Sequence, residues 1–224
     1  MHLFAALVPP RNVVNHVMQV VAAVRPEREP VGDPSQTGRH AAGSGRRFGR
    51  RRQEPPPVEA PKPMLDLVPP VRMHVPIAKF GNLALTDAHR LTDAMVDQAR
   101  DWGAPRLHLR GGLALEPEGD TSVWARLAGD LDELNAAVRG VSRVAQGLHL
   151  FVDRRVFRPD VRLGTINDHT TEAYLEELLS TLEALEGPSW WQASLSLVIP
   201  AELGPNQPTY KLHCDVPLGP AVAH

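Results

Sequence analysis

The sequence predicts an α/β (α+β) fold of duplicated βαβαβ lobes, with two mainly antiparallel sheets facing a central groove. Three observations predict it. Strand-like runs and helical stripes alternate in the same order twice along the 224 residues. Two short strand-like runs, His74 to Phe80 and Phe157 to Thr165, hold the same place in each half. A hydrophobic content of 42% can fill one core, although 5% aromatics leaves much of the packing to Leu, Val and Ala.

The first half opens on an apolar strand, Leu3 to Val8. A helical pattern follows, with Val13, Val14, Val17, Val20, Val21 and Val24 on one broad face. Met73 to Phe80 reads as the next strand. Thr86 is the expected N-cap of a helix carrying Leu91, Met95, Ala99 and Trp102. Gly103 and Pro105 stop that helix, and Arg106 to Leu115 returns as a strand. The second half repeats the order. Ser122 to Leu127 is a strand, and Leu131, Leu134, Val138, Val141 and Ala145 form a helical stripe. Phe157 to Ile166 is the matching central strand. Leu175, Leu178, Leu179, Leu182 and Leu185 mark an amphipathic helix ended by Gly187-Pro188. Trp190 to Ile199 and Tyr210 to Val216 close the fold as strands.

One segment stands outside this pattern. Residues 25–63 are dense in Pro, Gly, Ser and Arg and nearly free of apolar side chains. Such a composition cannot bury enough surface to offset the entropy of ordering it, so a disordered insertion within a single domain spanning 1–224 is expected. Within it, positions 39, 46, 47, 50, 51 and 52 are arginine, and no acidic residue interrupts them. Removing that +6 from the formal net charge of −2 leaves −8 on the remainder. The segment is either a solvated surface loop or an electrostatic arm for RNA or another polyanion, since phosphate binding needs little beyond clustered arginine.

Several classes fall away. A lone cysteine, Cys214, rules out an intramolecular disulfide framework and a cysteine-rich zinc site. No apolar run approaches the roughly 18 residues that span a bilayer. The opening apolar run is short and lacks a basic leader, so a signal peptide is not expected. A cytoplasmic location follows as the expectation. There is no Gly-rich phosphate loop and no dinucleotide fingerprint. No metal-ligand spacing joins His108, His149 and His213, so neither metal nor cofactor is expected.

The two matching strands carry the candidate chemistry. Alternation places His74 with Pro76 on one face of the first, and Asp160 with Arg162 on one face of the second. Asp160 and Arg162 form either an ion pair or part of a site. Proline fits poorly inside a paired strand, so the first strand is an edge or carries a bulge at Pro76. Lys79 alternates away from His74 if the strand is regular, and no role is assigned to it. Of Trp190 and Trp191, one ring is expected inside and the other near the surface.

These segments resemble the 2H phosphoesterase superfamily, in particular bacterial 2′-5′ RNA ligase and RNA 2′,3′-cyclic phosphodiesterase proteins. Leu3 to Pro10 resembles its first strand. His74-Val75-Pro76-Ile77-Ala78-Lys79-Phe80-Gly81 resembles its first His-x-Thr strand. Leu107 to Gly112 is similar to the glycine-ended strand that follows. Phe157-Arg158-Pro159-Asp160-Val161-Arg162-Leu163 resembles the second His-x-Thr strand, and Tyr210 to Leu218 the last. The resemblance implies two imidazoles flanking a phosphodiester, one taking a proton from water and one giving a proton to the leaving oxygen, with two hydroxyls on the phosphate oxygens. Of these four groups only His74 is present. Pro76 offers neither oxygen nor N–H. Asp160 replaces the second imidazole and, as an aspartate, is a poor acid at neutral pH. Arg162 replaces the second hydroxyl and supplies a fixed charge that can hold a phosphate or pair with Asp160. Losing one positioned acid or base costs about 10²–10⁴ in rate. The resemblance therefore implies weak or lost hydrolysis at an RNA end or cyclic phosphate. The alternative is a non-catalytic protein that binds a phosphorylated ligand, RNA or a protein partner in the same groove.

Overall fold

The computed structural model describes residues 1–25, 62–115, 121–201, 204, 207 and 209–220. Most of the arginine-rich segment, residues 26–61, lies outside the described residues. Along the chain run β1 (His2–Leu7), α1 (Arg11–Ala23), β2 (Leu65–Leu67), a 3-10 turn (Pro70–Arg72), β3 (Val75–Asn82), α2 (Leu85–Ala99) and β4 (Arg106–Leu115). The second half contributes β5 (Ser122–Gly129), α3 (Leu131–Gly147), β6 (Asp160–Ile166), α4 (Glu172–Glu183), β7 (Trp190–Trp191), β8 (Ser194–Pro200) and β9 (Tyr210–Pro217).

All named strand pairs are antiparallel. One sheet has the order β3-β1-β8-β9 and the other β2-β6-β5-β4-β7. The duplication predicted from sequence is present, with a crossing over of halves. The run β3-β1-β8 of the first sheet corresponds to the run β6-β5-β4 of the second. Each half therefore lends its third long strand to the other half's sheet.

Several boundaries differ from the sequence expectation. The second central strand starts at Asp160 rather than Phe157, because Pro159 has no N–H for the ladder; its carbonyl instead accepts from Leu127. Helix α2 is capped at Ala84 and not at Thr86, and it ends before Trp102. The run from Trp190 to Ile199 is two strands in different sheets. Buried Gln192 bridges the change of sheet: its Oε1 accepts from Trp190 Nε1 at 2.8 Å and its Nε2 donates to the Ser194 carbonyl. Trp190 is 7% exposed and Trp191 51%, so one ring is inside and one outside as expected. The short β2 strand has no counterpart in the sequence reading.

Leu3, Ala5, Val75, Ile77, Val123, Val161 and Leu163 point into the core cluster with the inner faces of the helices. Their alternates face the other way. Strand periodicity thus gives each sheet a helix-covered face and a face free to line a groove. Trp102 locks helix α3 to the end of α2: a Cβ on Gly140 would overlap its indole. No helix among the described residues is long and apolar enough to cross a membrane.

Candidate functional site

Strands β3 and β6 share an irregularity that fixes the site. Between β1 and β3, Ala6 pairs with Pro76 and Ala5 with Ala78, leaving Ile77 as an extra residue. Between β5 and β6, Trp124 pairs with Arg162 and Val123 with Gly164, leaving Leu163 as an extra residue. A bulge of this kind re-aims the side chains beyond it. The two bulges bring the strands into register residue by residue, so that Pro76 matches Arg162 and His74 matches Asp160. Lys79 then matches Thr165.

The bulge corrects the expectation for Lys79. A regular strand would turn it away from the face that holds Pro76. With Ile77 inserted, Ile77 and Ala78 are both buried, and exposed Lys79 lines a cavity together with Pro76 and His74. Both sequence alternatives for Pro76 hold, since β3 is an edge strand and the bulge follows the proline directly.

Two cavities meet at His74. One, of ≈ 510 Å³, is lined by His2, Phe4, Lys79, Val156 and Pro200. The other, of ≈ 450 Å³, is lined by Arg72, Trp124, Arg162, Thr165 and Leu67. His74, Pro76 and Thr209 belong to both walls. Among the described residues no carboxylate lines either cavity. The groove expected between the sheets is therefore formed, with His74 at its waist and cations on both sides.

His74 sits just before β3. Its Nδ1 lies 2.8 Å from the Arg72 carbonyl. A carbonyl can only accept, so Nδ1 carries the hydrogen and the neutral ring keeps its lone pair on Nε2. The ring packs edge-on against Tyr210, with centroids 5.3 Å apart, and tilted on Phe4 at 6.0 Å. Burial lowers the His74 pKa below the usual 6.5, and the hydrogen bond to Arg72 only partly opposes this. At neutral pH the imidazole is a base.

Asp160 does not join it. The carboxylate is 8% exposed and accepts from Arg158 Nε at 2.8 Å. The Arg158 guanidinium in turn lies 4.4 Å over the Trp124 ring. The expected pair of Asp160 with Arg162 is not formed; Arg162 Nη2 instead donates to Thr165 Oγ1 at 2.8 Å. Of the three sequence-derived site residues, His74 and Arg162 share a cavity, and Asp160 is covered by the guanidinium two residues before it. Sequence reasoning does not find Lys79, Arg72 or Thr165. Arg72 Nε donates to the Gln207 carbonyl at 2.8 Å and its Nη2 to the Gly204 carbonyl. That arginine therefore ties the groove rim to the segment before β9. Nothing in composition signals this contact, which spans more than a hundred residues.

No family model matches the chain, and no curated protein matches its sequence. Solved structures do match. TT0787 of Thermus thermophilus aligns over 97% of this chain and 98% of its own, with a TM-score of 0.57 and 18% identity. E. coli LigT, solved in complex with 3′-AMP, aligns over 97% and 96%, with a TM-score of 0.57 and 13% identity. A protein described as a phosphoesterase aligns over 97% and 98%, with a TM-score of 0.56 and 13% identity. At that coverage the likeness takes in both sheets. The chain has the fold of LigT-like phosphoesterases.

Proposed function

We propose that the groove binds a phosphorylated ligand, an RNA end or cyclic phosphate, through Arg162, and that phosphodiester hydrolysis there is weak or lost. The observation that carries this reading is one cavity holding Arg162 and the neutral imidazole of His74, with no carboxylate among the described residues of its wall. Arg162 has donors left after its bond to Thr165, and a guanidinium presents them in a fork that suits phosphate oxygens. His74 Nε2 can accept a proton from a water or hydroxyl. The leaving oxygen, however, needs a proton donor on the far side. The residue that matches His74 in β6 is Asp160, which lines neither cavity and is already an acceptor for Arg158. The arrangement supplies a base and an anion clamp, and no acid. Membership of the 2H phosphoesterase superfamily fits the fold and the order of the five resembling segments. LigT has been solved with 3′-AMP and with ATP, which supports a phosphorylated ligand for this chain too. The arginine-rich segment between α1 and β2 adds a polyanion-binding arm. The strand that follows it leads into the groove, because Leu67 at the end of β2 lines the same cavity as Arg162.

Calorimetric titration with 3′-AMP tests the reading. Arg162→Ala should weaken binding about tenfold or more, as expected for a charged hydrogen-bonding partner. Equal affinity of wild type and variant would reject it.

A further inference from the structure

We infer that Lys79 forms a second anion subsite, so that the groove selects ligands carrying two separated phosphates, one on each side of His74. The inference rests on the proposed phosphate binding at Arg162 and extends it to the class of ligand. Its basis is the bulge at Ile77. That one extra residue turns Lys79 into a cavity that shares the wall of His74, Pro76 and Thr209 with the cavity of Arg162. The strand rises roughly 3.3 Å per residue, so Lys79 stands several ångströms beyond Pro76 along β3.

Lys79 is also uncommitted. Asp153 adjoins it, its backbone bridging that of Lys79 through N–H···O bonds of 3.0 and 2.8 Å. Asp153 is taken by Arg155, whose Nε and Nη2 donate to its two oxygens at 3.0 and 3.2 Å. That bond is the main reason the Asp153 carboxyl titrates low; Lys79 adds only a weaker charge effect. Among the described residues no carboxylate makes an ion pair with Lys79.

Lys79 in one cavity and Arg162 in the other are thus both unspent on a carboxylate, Arg72 beside Arg162 being tied to the Gln207 and Gly204 carbonyls, and His74, held by Phe4 and Tyr210, belongs to the wall that the two cavities share. A single phosphate occupies only one cavity. A ligand with phosphates on both sides of a ribose can reach both, with its sugar passing the imidazole. Two adjacent phosphates cannot straddle the ring in the same way. The shared chemistry is a nucleotide chain or a nucleoside bisphosphate, as distinct from a nucleoside diphosphate.

Titration of the full chain with 3′-AMP, adenosine 3′,5′-bisphosphate and ADP tests this. The bisphosphate should bind about tenfold tighter than 3′-AMP. Lys79→Met, which keeps the aliphatic stem, should erase that advantage while leaving 3′-AMP affinity unchanged. The salt dependence of bisphosphate binding should fall by about one ion in the variant. ADP should show no gain over 3′-AMP. Equal binding of 3′-AMP and the bisphosphate, a bisphosphate affinity indifferent to Lys79→Met, or a Lys79-dependent gain with ADP as large as that with the bisphosphate would overturn the inference. If any of these occurs while 3′-AMP binding still depends on Arg162, the second subsite fails alone. Loss of the Arg162 dependence removes the underlying reading.

Discussion

Strands β3 and β6 carry the same bulge in the same register, yet the residues that lead into them do opposite things. In β3 the position before the strand holds an imidazole that is neutral, oriented by a carbonyl and open to two cavities. In β6 the matching position holds a carboxylate, mostly buried and joined to Arg158. The third positions differ as well, with a proline that has nothing to donate against an arginine that has several donors. Backbone geometry is alike in both halves, whereas the chemical groups it carries differ. The shared register goes with packing rather than with the groove. Ile77 and Leu163, the two extra residues, are both fully buried, and neither takes part in the groove.

The two strands differ most at Asp160. If its role is to hold Arg158 over Trp124, Asp160→Asn should destabilise the fold by roughly 1.5–3 kcal/mol, the range for hydrogen bonds to charged groups. His74→Asn, at the equivalent place, keeps a donor for the Arg72 carbonyl and should cost less at pH 7. Urea unfolding of both variants measures the difference. A larger loss at His74 than at Asp160 would reverse the assignment of structural and chemical halves.

A smaller effect sharpens the His74 side. Its pKa is lowered by burial, so the folded state takes up a proton less readily than the unfolded chain, where the value is near 6.5. The stability conferred by the neutral ring is present above about pH 6.5 and is lost as pH falls through the lowered value. The chain has 10 histidines, so the contribution must be read as a difference. Wild type should lose more stability than His74→Asn between about pH 7 and pH 5 in parallel urea titrations. Identical pH profiles would remove the burial argument.

The order of elements and the matching of the two strands are legible in the sequence, because alternation and helical periodicity are local signals. Pro76 even marks the edge and bulge of β3, since a missing N–H has few places in a sheet. The bulge at Leu163 leaves no such mark. A one-residue register shift depends on what the neighbouring strand packs against, and an apolar residue looks the same in or out of the ladder. The side taken by Lys79 is hidden for that reason. The partner of Asp160 is equally hidden, because Arg158 and Arg162 both lie two residues away. The Trp124 ring takes the Arg158 guanidinium and Thr165 takes that of Arg162, and neither contact is marked in the sequence pattern. The change of sheet at Gln192 is masked by the apolar run around it.

The most direct test of the central claim, a phosphate groove with a base and no acid, is hydrolysis of 2′,3′-cyclic AMP. Wild type should turn it over very slowly or not at all, and any residual rate should vanish in His74→Ala. Restoring the missing groups with Pro76→Thr, Asp160→His and Arg162→Thr together should raise the rate by about 10² or more, the usual worth of one positioned acid. Efficient wild-type turnover that survives His74→Ala would contradict the account.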